Sequence, residues 1–148
     1  MLSQRAKYGL KALLYMADHA GEKGVRGMDI SAAETIPKKF LDIILLELKA
    51  EDLITSKKGK QGGYQLARSP ERISVGQVIR ILDGPLAPVS CVSRTAYKRC
   101  ADCRDENACR IRRIMGQVRD AIADILDNTS LADMRKGPAE DIFLYYDI

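Results

Sequence analysis

Apolar residues at helical spacing predict two helices at the start of the chain. Ser3 can cap the first helix, which ends near Gly21. Residues 28–30 are predicted to form a short apolar connector. A brief second helix then begins at Ser31 and ends before Pro37, a residue suited to the first turn of the next helix.

The next apolar pattern predicts an amphipathic helix from Pro37 to about Glu51. Its apolar face holds Phe40, Leu41, Ile44, Leu45 and Leu48. A short helix, a proline junction and a second amphipathic helix are together typical of a helix-turn-helix.

Two short β-type segments follow and predict a hairpin, which would be the wing of a winged helix. The strands are residues 53–58 and 64–67, and the glycine-rich turn 59–63 joins them. Between Leu53 and Ala67 there are three lysines and no acidic residue. This composition suits a loop that lies along phosphates.

Two further helices are predicted. Ser74 and Gln77 form a capping box for the first, which Gly84 closes. The second begins near Asn107 and carries a single apolar stripe. The stripe contains Ile111, Ile114, Met115, Val118, Ile122, Ile125 and Leu126. Burial against the chain's own helices is one explanation; we favour a dimer interface, because regulators usually read operators as two-fold dimers.

These elements predict a mainly α-helical fold with a small β-hairpin. Residues 1–84 form a winged helix-turn-helix DNA-binding domain, and 85–110 form a cysteine-containing sensor loop. Residues 107–134 form a long dimerisation helix, and 135–148 a C-terminal tail.

Composition and charge agree with a soluble nucleic-acid binder. The net charge is +4, and residues 1–68 contain 12 Lys and Arg against 8 Asp and Glu. A basic half is the electrostatic footprint of a phosphate-contacting module. The chain contains neither an apolar leader nor a run long enough to span a membrane, so we expect a cytoplasmic protein. No nucleophile, carboxylate or phosphate-loop motif predicts an enzyme.

Four cysteines carry the candidate chemistry. Cys91, Cys100, Cys103 and Cys109 cluster on a polar stretch, and in a reducing compartment such thiols are more often metal ligands or redox groups than disulfides. Such thiolates bind iron-sulfur clusters, either [2Fe–2S] or [4Fe–4S], or zinc, and the spacing alone separates these poorly. Zinc is less favoured, because zinc sites usually combine two short Cys pairs and Cys91 and Cys109 are solitary.

Basic residues surround the thiols and are expected to lower their pKa or to offset an anionic cluster. They are Lys98, Arg99, Arg104, Arg110, Arg112 and Arg113. A solvated surface explains most of them equally well.

Several motifs occur together in one order and resemble the Rrf2 family of bacterial winged-helix transcription regulators over about residues 1–134. They are the opening 3–13, the junction 36–41, the glycine-rich wing 59–64, the segment 73–75 and the cysteine loop. The resemblance implies a homodimer on double-stranded operator DNA, with crossed C-terminal helices, a recognition helix in the major groove and the wing in the minor groove.

The resemblance also assigns DNA contacts by position. On the recognition helix and the wing they are Lys38, Lys39, Asp42, Lys57, Lys58, Lys60 and Gln61. Lysines would supply phosphate contacts, while Lys39, Asp42 or Gln61 could reach base edges.

Cluster-binding members of the family use three cysteines plus a fourth ligand that varies. Cys91 and the Cys103–Cys109 spacing match that pattern, but Cys100 is extra. Arg112 stands where some members have a ligating histidine, and Lys7 or Tyr8 where others have a carboxylate. The fourth ligand is therefore either Cys100 or absent.

Two functions follow. The first is a repressor or activator whose DNA affinity changes with iron-sulfur status, redox state or nitric oxide. The second is a cluster-free regulator that uses a Cys100–Cys103 thiol-disulfide switch, a zinc site or a partner protein. A metal or cluster carrier built on a winged-helix scaffold is disfavoured by the wing lysines.

Overall fold

The computed structural model describes residues 2–21 and 23–137, and most of the predicted tail 135–148 lies outside them. The elements run in the order α1 (Gln4–Asp18), α2 (Gly27–Glu34), α3 (Lys38–Ala50), β1 (Ile54–Lys57), β2 (Gly63–Leu66), α4 (Val75–Asp83), α5 (Arg110–Asp127) and α6 (Leu131–Arg135). The predicted fold class, mainly helical with a small antiparallel hairpin, is confirmed.

Helix α2 begins earlier than its sequence indicated. The predicted connector 28–30 is helical, and Ser31 lies inside the helix rather than at its start. Ile30 is fully buried, and Asp29 lies in the first turn, where a carboxylate is favourable. The Ser31 hydroxyl instead donates to the Ile36 carbonyl at 2.6 Å.

Helix α3 packs against the core through one face, as predicted. Leu41, Ile44, Leu45 and Leu48 are all fully buried. Phe40 is the exception, because it lies at the border of that face and remains 38% exposed. Its ring packs edge-to-face on Tyr8, with ring centroids 5.8 Å apart.

The wing is a two-stranded hairpin that is anchored to the domain. Ile54 pairs with Leu66, and Lys57 pairs with Gly63. Tyr64 and Val25 exchange both backbone hydrogen bonds, at 2.7 and 2.8 Å, which adds a bridge to the segment between α1 and α2. Gly63 has φ +153°, and a Cβ there would lie 2.6 Å from the Val25 carbonyl oxygen, so this contact requires glycine.

Helix α4 has the predicted ends, but among the described residues only the Ser74 half of the predicted capping box is formed. The Ser74 hydroxyl accepts from the Gln77 amide at 3.2 Å, and Gly84 ends the helix with φ +88°. Five residues of this helix are buried, and four of them join the core formed by α1 and α3, namely Val75, Val78, Ile79 and Leu82.

The predicted continuous helix 107–134 is two helices, α5 and α6. Between them the Asn128 side chain donates to the Asp124 carbonyl at 2.8 Å, and the Thr129 hydroxyl donates to the Ile125 carbonyl at 2.7 Å. Ser130 and Asp133 then form a reciprocal capping box that begins α6. This Ser-x-x-Asp signal is visible in the sequence, and our prediction overlooked it.

Helix α6 returns to the N-terminal core. The Val75 amide donates to the Thr129 carbonyl and the Leu131 amide donates to the Ile73 carbonyl, both at 2.9 Å. Leu131 is fully buried in the main core cluster. The winged helix is thus completed by residues that follow α5 in the sequence.

Candidate DNA-binding surface and cysteine site

The seven predicted DNA-contacting residues are all exposed on α3 and the wing. Lys38 and Asp42 form an ion pair along α3, one helical turn apart. Among the residues that the structure describes, the other four predicted lysines, Lys39, Lys57, Lys58 and Lys60, pair with no carboxylate. Lys39 and the wing therefore offer free cationic groups, whereas much of the Asp42 charge is neutralised locally.

Two residues of this surface escaped the sequence prediction. Ile43 is 55% exposed and Leu46 is 70% exposed, and both lie on the side of α3 that faces away from the core. The available signal was the apolar content of 43–48, which exceeds what a single buried face requires.

The four cysteines line one cavity of about 410 Å³. Cys91 is buried in a short 3₁₀ turn, Ser90–Val92, after α4. Cys100 and Cys103 lie on the following loop, Cys100 exposed and Cys103 half-buried. Cys109 caps α5, and its sulfur accepts from the Arg112 amide at 3.4 Å. Residues distant by up to 18 positions are thus brought around one space.

The loop thiols are held in their neutral form. A hydrogen bond with Cys91, together with the charge of Cys91, raises the pKa of Cys100. Burial and the nearby Cys109 raise the pKa of Cys103, and Arg99 only partly opposes them. Both pKa values are therefore raised overall, against the expectation that the surrounding basic residues would lower them, although Arg99 does act to lower the pKa of Cys103.

The arginines instead organise the backbone of the site. Arg99 donates to the Cys103 carbonyl at 2.9 Å and to the Arg104 carbonyl at 3.2 Å. Arg112 donates to the Cys91 carbonyl at 3.3 Å, and Arg119 donates to the Val92 carbonyl. Since Arg112 and Arg119 lie seven residues apart on α5, that helix holds the Cys91 turn at two neighbouring points.

Metal binding would require these side chains to move together. Within residues 2–21 and 23–137, no three His, Cys, Asp or Glu side chains converge closely enough to hold a metal ion as they stand. The four thiols do form a donor set of the kind that binds iron-sulfur clusters or zinc, gathered at one cavity.

Helix α5 leaves an apolar line uncovered. Ile111 and Ile125 are 69% and 65% exposed, Ile114 and Val118 are also exposed, and no residue of the helix is buried. Together with exposed Ala121, these positions follow alternating steps of three and four residues. That spacing is the seam of a coiled coil.

Comparisons with known proteins agree with this architecture. The model of the family Rrf2, described as an iron-dependent transcriptional regulator, matches residues 2–137. An Rrf2-like HTH-type transcriptional regulator of Rhodobacter capsulatus is 41% identical over 90% of this chain and 91% of its own length.

Solved structures show the same fold. CymR, the global cysteine regulator of B. subtilis, superposes with a TM-score of 0.77 at 27% identity, over 94% of this chain and 98% of that one. IscR of T. potens superposes with a TM-score of 0.73 at 28% identity, over 99% of this chain and 96% of that one. Among the described residues, no helix has both the length and the hydrophobicity to cross a membrane. The chain belongs to the Rrf2 family of DNA-binding transcriptional regulators, which are not enzymes.

Proposed function

We propose that this regulator binds operator DNA as a homodimer and changes its affinity with an iron-sulfur cluster held by its cysteines. The observation that carries the proposal is the gathering of Cys91, Cys100, Cys103 and Cys109 around one cavity. The description of the matching family as iron-dependent supports it.

The four thiols would be the cluster ligands. Cys100 supplies a fourth sulfur where Arg112, which carries no free electron pair for a metal, cannot. When bound, the cluster would supply redox or ligand sensitivity, since its stability depends on iron supply and oxidants. The chain's own part is to release the protons of the Cys100 and Cys103 thiols, whose raised pKa values make cluster loading costly at low pH.

DNA binding is assigned to α3 and the wing. Lys39, Lys57, Lys58 and Lys60 would contact phosphates, and Lys38, Asp42 and Gln61 would complete the surface. Four of these lysines pair with no carboxylate of the described residues, and this favours the assignment, because each can release a condensed counterion from the DNA backbone.

The dimer interface is assigned to α5. The exposed line of Ile111, Ile114, Val118, Ala121 and Ile125 supplies an apolar seam that one copy leaves in water. Pairing two such seams would bury them and place two α3 helices on one DNA duplex.

The coupling between the two functions would run through Arg112 and Arg119. Both extend from α5 to carbonyls of the turn that carries Cys91. A rearrangement of that turn would therefore shift α5, and Arg80, bonded to Asp127 at 2.5 and 2.8 Å, links α5 to α4 of the DNA-binding unit. If one conformation of the protein binds the cluster more tightly than the other, loading the cluster increases the population of that conformation.

A cluster-free thiol switch is the second candidate. The sequence suggested the Cys100–Cys103 pair, and the Cys103 amide donates to the Cys100 carbonyl at 3.2 Å, so the two residues share one turn. Cys91 lines the same cavity and is the alternative partner of Cys100. With hydrogen peroxide as oxidant, two thiols would form one disulfide and the hydrogen peroxide would be reduced to two waters. Staphylococcus aureus CymR, 26% identical to this chain, has a structure in an oxidized form. The zinc site and the partner protein remain further alternatives of this kind.

The test is the visible absorption spectrum and the iron and sulfide content of anaerobically purified protein, beside alanine variants of each cysteine. The cluster proposal expects broad absorption with matching iron and sulfide, lost in Cys91→Ala, Cys103→Ala and Cys109→Ala. Retention in Cys100→Ala would leave three protein ligands. A colourless protein that fails anaerobic reconstitution contradicts the cluster and shifts the site to zinc or to the thiol switch.

A further inference from the structure

The outward face of α3 is apolar at its centre. The line of residues opposite the buried face of α3 is exposed throughout. It consists of Lys39, Ile43, Leu46 and Ala50. Leu46, at 70%, is among the most exposed large apolar side chains of the described chain. A surface helix normally has polar residues at such positions, so these exposed apolar side chains indicate a binding surface.

The surroundings of the line favour a polyanion over a protein. Lys38, Lys39 and Lys49 flank it on α3, and the wing contributes further lysines. The two carboxylates of the exposed side, Asp42 and Glu47, are already paired with Lys38 and Arg5. The exposed carboxylates Glu51 and Asp52 follow the line at its C-terminal end, while lysines flank the rest of it. An apolar patch beside these cations suits DNA, whose major groove presents one apolar feature, the C5 methyl group of thymine.

We propose that Ile43 and Leu46 are specificity-determining residues that contact thymine methyl groups in each operator half-site. The proposal rests on the placement of α3 in the major groove. It adds that part of the operator sequence is read by apolar contact, whereas the lysines contribute affinity that depends little on sequence.

Replacing thymine by deoxyuridine tests the proposal directly, because it removes only the methyl group. Full-length protein is used to enrich duplexes from a random pool, and the dissociation constant is measured by fluorescence anisotropy for each thymine-to-deoxyuridine duplex. At contacted positions we expect affinity to fall about fourfold per methyl group, the effect of losing one buried carbon. In the Ile43→Ala and Leu46→Ala variants, deoxyuridine should no longer weaken binding at the thymine that the missing side chain contacts in the wild type.

Matched controls separate this proposal from the DNA interface on which it rests. Leu2 is an exposed apolar residue outside α3. The Leu2→Ala variant should therefore lose as much affinity as the wild type at every thymine-to-deoxyuridine replacement. If Lys39→Ala and Lys58→Ala weaken binding but deoxyuridine changes nothing, apolar reading is wrong and the interface stands. If those lysine variants also bind normally, the interface itself is wrong. An affinity loss that persists unchanged in both Ile43→Ala and Leu46→Ala overturns the assignment to these residues. If a variant misfolds, the wild-type series still decides whether thymine methyl groups are read, and an unchanged wild-type affinity overturns the proposal.

Discussion

Helices α4 and α5 have similar apolar patterns and opposite fates. In α4, Val78 and Leu82 are almost completely buried in the core of one chain. In α5, Ile111 and Ile125 are about two-thirds exposed, and no residue of the helix is buried. The pattern shows that an apolar face must be covered, but the surrounding structure decides by what. Helix α4 buries its apolar face within one chain, whereas α5 leaves its apolar face exposed.

The same contrast separates the two functional regions. The DNA-binding unit is built on one continuous hydrophobic core, and its lysines on α3 and the wing are exposed. The cysteine segment has short turns fastened by arginine-to-carbonyl hydrogen bonds around a cavity. A region held mainly by such bonds can rearrange at lower cost than a packed core, and this suits a sensor.

Truncating Leu131 should have the largest effect on stability. Although it follows α5 in the sequence, Leu131 is fully buried in the core of the DNA-binding unit. Leu131→Ala should lower the free energy of unfolding by about 2–5 kcal/mol, measured by urea denaturation. Met134→Ala, on the same short helix but 37% exposed, should cost much less. Equal small losses would show that α6 does not belong to that core.

A charge on the α5 seam should break the dimer and leave the fold intact. Ile114→Asp would bury a carboxylate between two apolar helices, and a penalty of about 3 kcal/mol weakens association about a hundredfold. Sedimentation velocity should show monomers with unchanged helical circular dichroism. Arg113→Asp, on another face of α5, is the matched control and should remain dimeric. A dimeric Ile114→Asp protein would contradict the assigned interface.

Removing one wing lysine should weaken DNA binding through its salt dependence. Lys58→Ala should reduce the slope of log affinity against log salt concentration by about one per subunit contact, because one fewer counterion is released. Titrations at several salt concentrations measure this slope. Lys98→Ala, on the cysteine loop, should leave it unchanged, and an unaltered slope in Lys58→Ala would remove the wing from the phosphate contacts.

The smallest predicted effect concerns acid stability at α6. Hydrogen bonds from the Ser130 hydroxyl and amide lower the pKa of Asp133 to about 2. A lowered pKa stabilises the fold above the unfolded value near 4 and loses that stabilisation as pH falls through the folded value. Asp133→Asn should therefore show a shallower loss of melting temperature between about pH 4 and 2. An identical acid dependence in both proteins would exclude this contribution.

Local signals account for most of the fold that the sequence predicted. The glycine-rich turn gave the wing, and Ser74 and Gly84 gave the ends of α4. The start of α2 depends instead on the burial of Ile30 in a core formed by distant segments. The break at 128–130 has a local capping signal, but its partner Ile73 is far away in the sequence.

The candidate site was predictable as a set of residue types and not as an arrangement. Cysteine spacing indicated a four-thiol site, yet the sequence could not show that all four thiols line one cavity or that Arg112 and Arg119 bind carbonyls. Such contacts depend on how the loop returns to α5. Exposure of Ile43 and Leu46 likewise became clear only when the buried face of α3 was known.

The most direct test of the account measures DNA affinity in the two states of the cysteine site. Anaerobic anisotropy titrations on an enriched operator duplex would compare cluster-loaded protein with the same protein after the iron has been removed, and Cys103→Ala would be the control. The account predicts a difference of about 5- to 150-fold between the two states, absent in Cys103→Ala. Equal affinities in the two states, with iron analysis confirming that the loading differs, would contradict the claim that the cysteine segment controls DNA binding.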